Sequence, residues 1–258
     1  MMSKRKSPPL MEHPQVKELL AVMEQHHTDA MKDLLDVMGY VGEVEKQLDG
    51  AVKELAAMRK QLADMKQGPM KKAMQNAVIT MQDKVLTLRE RLEALKDSVV
   101  EGCKNLLTAF KEKGVQALSN AARFFKLRPA LESMRDGLNE SIKANDRTIA
   151  KIEAVSAEYH EAGRHIKNAG RALVGKEAVA EAKAPGRLAK AVSAPFRAER
   201  ASLLSARKSV ENALERLAHL EKSAQRRPSI RKTMQHYQDK IDQAQKSAPG
   251  RDTRRDER

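Results

Sequence analysis

Residues 34–65 read LLDVMGYVGEVEKQLDGAVKELAAMRKQLADM, and their spacing decides the fold class. Leu34, Val41, Leu48, Leu55 and Leu62 recur at every seventh position. Val37, Val44, Ala51, Met58 and Met65 follow each of them by three. Apolar positions alternating at three and four draw a narrow stripe along a helix, the seam of a coiled coil, which needs a facing helix to cover it. Gly39, Gly42 and Gly50 lie on the outer positions. Each costs about 1 kcal/mol of helicity relative to Ala, so this helix depends on its partner for order.

A second seam follows the Gly68-Pro69 break, where Pro disfavours helical backbone in the residue before it. It runs Val78, Met81, Val85, Leu88, Leu92, Leu95, Val99 and, past a weak layer at Gly102, Leu106. Lys84, Arg89, Arg91 and Lys96 border it. A parallel homodimer would oppose Lys84 to Arg89 and Arg91 to Lys96, like charge to like. The first seam carries Glu45 and Glu54 at its edges. Folding the second helix back antiparallel sets Glu45 near Lys96 and Glu54 near Arg91, or, one heptad along, near Arg89 and Lys84. An internal hairpin from about 31 to 127 is therefore expected. Exposed pairs of this kind contribute about 0.2–1 kcal/mol each, so they select orientation more than they stabilise. With the seams so used, an outside partner is left Met38 and Val52 beside the first seam, the third helix, or the basic end of the chain.

Composition agrees with long helices rather than a thick core. Of 258 residues only 3% are aromatic, none is Trp and 33% are charged, so Leu, Ala, Val and Met must supply the buried area. The fold class expected is all-α: an elongated antiparallel hairpin or coiled coil with further long helices and a basic, hinged helical tail. Residues 1–12 read as a disordered basic tail and 13–168 as the helical bundle, opened by Pro14 with Val16, Leu19, Leu20 and Met23 on one face. The second helix is expected to run on through Phe110, Val115 and Leu118 toward Phe125, with Pro129 ending the pattern. A third helix then carries Leu131, Leu138, Ile142, Ile149, Ile152, Tyr159 and Ile166 on one face, interrupted by Asn145 and Ser156. Gly170, Gly175, Pro185, Gly186 and Pro195 punctuate 169–197, read as a hinge. Residues 198–247 read as a basic helical segment, with Leu203, Ala206, Val210, Ala213, Leu217 and Leu220 in series and a break at Pro228, where Ser229 caps a last helix. Residues 248–258 read as a disordered charged tail.

The net charge of +14 is unevenly placed. Residues 160–258 hold 23 Lys/Arg against 12 Asp/Glu, or +11, whereas residues 1–70 hold 10 against 11. That marks the C-terminal third as a contact surface for something acidic, or as a solubilising surplus. Arg226, Arg227, Arg231 and Lys232 around Pro228-Ser229 are the candidate nucleic-acid contacts, which would hold phosphate without reading sequence. The segment Arg123-Phe124-Phe125-Lys126 would suit a membrane surface or stacked bases, but two Phe at a helix break more simply anchor the turn.

No catalytic constellation is found. Cys103, the sole cysteine, has Lys104 beside it but no nearby His to act as base, and it excludes an internal disulfide. His160 and His165 are five apart, off the same-face spacing of metal ligands, and Glu161 with His165 makes an ordinary surface pair. No phosphate-binding loop, nucleophile elbow or paired-cysteine zinc pattern is present. No cofactor, metal or small-molecule substrate is expected. No run of about 18 apolar residues and no signal-type leader is found, so a cytoplasmic location is expected.

The stretch VKELLAVMEQHHTDAMKDLLDVMGYVGEVEKQLDGAVKELAAMRKQL, Val16 to Leu62, is similar to a family of uncharacterised helical proteins of gut Firmicutes, often borne on integrative and conjugative elements. The resemblance extends into the second and third helices and fades in the basic C-terminal third. It implies a bacterial cytoplasmic accessory protein tied to mobile elements, and brings no activity or catalytic residue. Residues and resemblance together lead to a non-enzymatic structural or adaptor protein that binds a partner helix or a second copy through helical faces. Sequence-independent nucleic-acid binding by the basic third is the alternative, and peripheral membrane association through Phe110, Phe124 and Phe125 a weaker one.

Overall fold

Glycine and proline set the ends of the long helices. The structure, a computed structural model, describes residues 8–26, 28, 30–118, 120–178 and 187–246, and on the last helix describes side chains only over 193–224. Pro14 opens α1 (Pro14–Gln25), where its missing N–H costs nothing. Helix α2 (Ala30–Asp64) carries the first seam, and after Gly68 a second proline opens α3 (Pro69–Lys113). Gly114 ends α3 at φ +60°, its N–H donating to the Phe110 carbonyl at 2.8 Å. That positive φ, costly for any side chain, is why the second helix stops there instead of running on toward Phe125. A short α4 (Val115–Leu118) and a 3-10 turn (Ala121–Arg123) lead into α5 (Arg128–Leu173). Gly175, at φ +68°, closes α5, with the Lys176 N–H on the Arg171 carbonyl at 2.9 Å. Helix α6 (Arg187–Lys246) is the last described element.

Helices α2, α3, α5 and α6 pack in a ring, α2 on α3, α3 on α5, α5 on α6 and α6 on α2. Each neighbouring pair is antiparallel. Asp33 meets His219 and Glu43 meets Ser209, ten residues up α2 for ten down α6. Lys84 meets Glu140 across α3 and α5, and Arg128 meets Glu221 across α5 and α6. The result is an up-down-up-down four-helix bundle, all-α, with no strand among the described residues. Helix α1 lies against α3, and Leu10, within the stretch read as a disordered tail, is buried beside α2 in a 3-10 turn.

The basic segment after the hinge supplies the fourth helix of the bundle, with Leu203, Ala206, Val210, Ala213, Leu217 and Leu220 all in the core. Helical backbone covers 169–173 and 187–197 of the hinge stretch and runs through Pro195 and Pro228, so no break falls at Pro228 and Ser229 caps no helix. A mid-helix proline costs about 3 kcal/mol. At Pro195 the burial of the adjoining Phe196, 0% exposed, anchors the helix in the core. The residues read as disordered at 1–7 and 248–258 lie outside the described ones.

Candidate interaction surface

Both sequence seams are spent inside the bundle. The seam residues from Leu34 to Leu62 on α2 and from Val78 to Val99 on α3 are each at most 5% exposed, and Met65, the last of the first seam, is half-buried. Met38 is also fully buried and Val52 is half-buried against the core. The stripe on α2 is wide because it serves two neighbours, α3 and α6.

Lys96 Nζ lies 3.2 Å from Glu45 Oε1 across α2 and α3, with Lys96 almost fully buried. Arg89 reaches Asp49 at 2.9 Å. Arg91 and Lys84 turn to α5 instead, Arg91 donating to the Ser133 carbonyl and Lys84 lying 3.6 Å from Glu140. Gly137 lets Arg91 in, since a Cβ there would collide with the guanidinium. Glu54 meets neither of its expected bases and faces Glu199 of α6.

Glu199 is the residue that periodicity gave no cause to single out. It is 0% exposed and accepts one bond, from the Asn145 amide at 3.2 Å. Glu199 Oε1 and Asn145 Oδ1 have no hydrogen-bond partner. Burial, and then the Glu54 carboxylate, push its pKa from 4.5 up to about 8, so the side chain is neutral at neutral pH. This polar layer, with buried Thr148 three residues along from Asn145, divides the core into a large cluster around Leu48, Leu88 and Leu203 and a smaller one around Ala51, Ile152 and Phe196.

Past Ser156 the surroundings of α5 change. From 157 to 173, about 25 Å of helix, no residue is buried. Tyr159 is 63% exposed, Ile166 75% and Leu173 88%, on the same face that buries Leu138, Asn145 and Ile152 further back. Isolated exposed apolar side chains are ordinary, but a continuation of a core stripe into solvent marks a contact surface. Glu161 pairs with Arg164 at 3.1 Å and lies 3.9 Å from His165, an ordinary surface cluster.

The remaining candidates lie elsewhere. Phe125 is buried over Gly102, and Phe110 and Phe124 are half-buried against the core, where Phe110 stacks obliquely on His26. Arg197, Arg200 and Arg216 of the basic third are paired with Glu153, Asp146 and Asp36. The side chains of Arg226, Arg227, Arg231 and Lys232 lie outside the described residues. Cys103 is buried and its thiol is pushed up to about 12, which keeps it protonated. Among the described residues no group of three His, Cys, Asp or Glu is placed to hold a metal ion, and no helix is long and apolar enough to cross a membrane.

A four-helix bundle with an exposed, apolar-striped helix end is the class of protein these features define. The chain belongs to a family of unknown function, DUF6674, which it matches over residues 12–256. No curated protein and no solved structure matches it.

Proposed function

We propose that the chain is a non-enzymatic adaptor whose bundle serves as a rigid base for the 157–173 end of α5, a docking arm for a helix in coiled-coil fashion. The exposed stripe of Tyr159, Ile166 and Leu173 carries this reading, because it continues a seam that the rest of α5 buries. A cytoplasmic setting in a bacterium and a link to mobile elements fit the family resemblance. The test is affinity capture from the native host, with and without nuclease, using the full chain and an Ile166→Asp variant. Protein partners that survive nuclease and are lost with Ile166→Asp support the adaptor. Identical capture by both forms refutes the arm.

Sequence-independent nucleic-acid binding is the second reading, supported by the +11 charge of residues 160–258. It calls for DNA binding that weakens steeply as salt rises. Absence of binding at low salt would remove it.

A further inference from the structure

We propose that the tip of the α2–α3 hairpin holds a binding site for a small amphiphilic anion, a phosphate monoester on an apolar body. A cavity of about 470 Å³ opens there between the two helices, a volume in the range of small-ligand sites. Leu62, Ala63 and Ile79 give it apolar walls, while Arg59, Lys71 and Asn76 bring hydrogen-bond donors. Among the described residues no Asp or Glu lines it. No residue of α5 lines it either, so the site stands apart from the docking arm.

The argument turns on Lys71. It is only 9% exposed, and its ammonium donates to the Met65 carbonyl at 2.8 Å, which uses one of its three N–H bonds. Among the described residues it meets no carboxylate. Buried Lys96 shows what the bundle supplies elsewhere, with Glu45 at 3.2 Å and Glu93 at 3.5 Å. A buried cation without a counter-charge is costly. The helix ends do not provide one. The C-terminal end of α2, next to Met65, brings about half a negative charge, but Lys71 lies in the first turn of α3, whose end brings about half a positive one. That turn holds no acid.

Arg59 adds a second cation, bonded to the Gln82 side chain rather than to an acid. Over residues 59–79 five Lys/Arg stand against one acid, Asp64, so the whole tip attracts anions. A phosphate monoester carries a charge of about −1.5 to −2 at neutral pH, and one such head neutralises Lys71 and Arg59 together. A monocarboxylate would balance only one of them. The apolar walls then cover whatever the head is attached to.

Isothermal titration of the full chain with hexyl phosphate should show saturable binding, with inorganic phosphate and hexanoate about tenfold or more weaker and hexanol silent. Lys71→Met should weaken hexyl phosphate by about tenfold or more. Arg59→Gln should weaken it as well, and Ala63→Phe, which leaves every charge in place, should block the cavity. Both of these positions are exposed, so the test stands even where Lys71→Met fails to fold. No saturable binding of hexyl phosphate, binding indifferent to the substitutions, or hexanoate equal to hexyl phosphate would each overturn the proposal. Retention on phosphatidic-acid vesicles with no response to free hexyl phosphate would place the head on a lipid and overturn the small-ligand site.

Discussion

Glu199→Gln keeps the shape of a fully buried side chain and removes its ionisation. In the folded chain that carboxyl titrates near 8, and in the unfolded chain near 4.5. Below 4.5 it is protonated in both states and costs nothing. Between 4.5 and about 8 the folded chain holds a proton that the unfolded chain has released, so stability falls as pH rises, by about 1.4 kcal/mol per unit. The loss is about 3 kcal/mol at neutral pH and on the order of 5 kcal/mol once pH passes about 8, where it levels off. Gln carries no such penalty, and its amide can donate to Asn145 Oδ1, which otherwise has no partner. Urea unfolding followed by helical circular dichroism, from acid to mildly alkaline pH, measures this directly. The two proteins should agree at the acid end and diverge as pH rises, with the variant the more stable by about 3 kcal/mol at neutrality. Parallel stability curves, or a variant weaker throughout, would refute the buried-acid account.

Two further substitutions probe the packing. Gly102→Ala should destabilise the bundle by about 1–3 kcal/mol in the same assay, because a Cβ would sit 2.5 Å from the Phe125 ring, although propensity alone favours Ala. Glu45→Ala should cost about 3 kcal/mol, since it leaves the 3% exposed Lys96 with only Glu93, at 3.5 Å, as counter-charge. A cost under about 0.5 kcal/mol would place that pair with ordinary surface ion pairs.

Periodicity makes α2 and α3 legible from sequence, because their seam residues keep strict three-four spacing whichever neighbouring helix covers them. The position of α6 is less legible. Its own stripe announces a helix, but nothing local says that it returns to α2. The one signal was the excess width of the α2 stripe at Met38, together with Asp33 and Asp36, which the structure pairs with His219 and Arg216. Gly102 looks like a weak layer in a linear pattern and is a seat for a ring that arrives from Phe125. Glu199 was hidden for another reason. A glutamate among Arg and Ala in a basic helix reads as solvated, and only the bundle geometry puts it opposite Asn145, the polar interruption on α5. At the exposed end of α5 the heptad named Tyr159 and Ile166 but not Leu173, and which turns of a long seam find cover depends on how far the neighbouring helices reach.

Backbone amide exchange over the full chain separates base from arm most directly. Slow exchange is expected through the buried turns of α2, α3 and α6 and through 131–156 of α5, with fast exchange confined, within α5, to 157–173 in the isolated chain and slowing there as the arm becomes occupied by a captured partner. Protection of 157–173 equal to that of 131–156 in the isolated chain, or no added protection with the partner bound, would contradict the account.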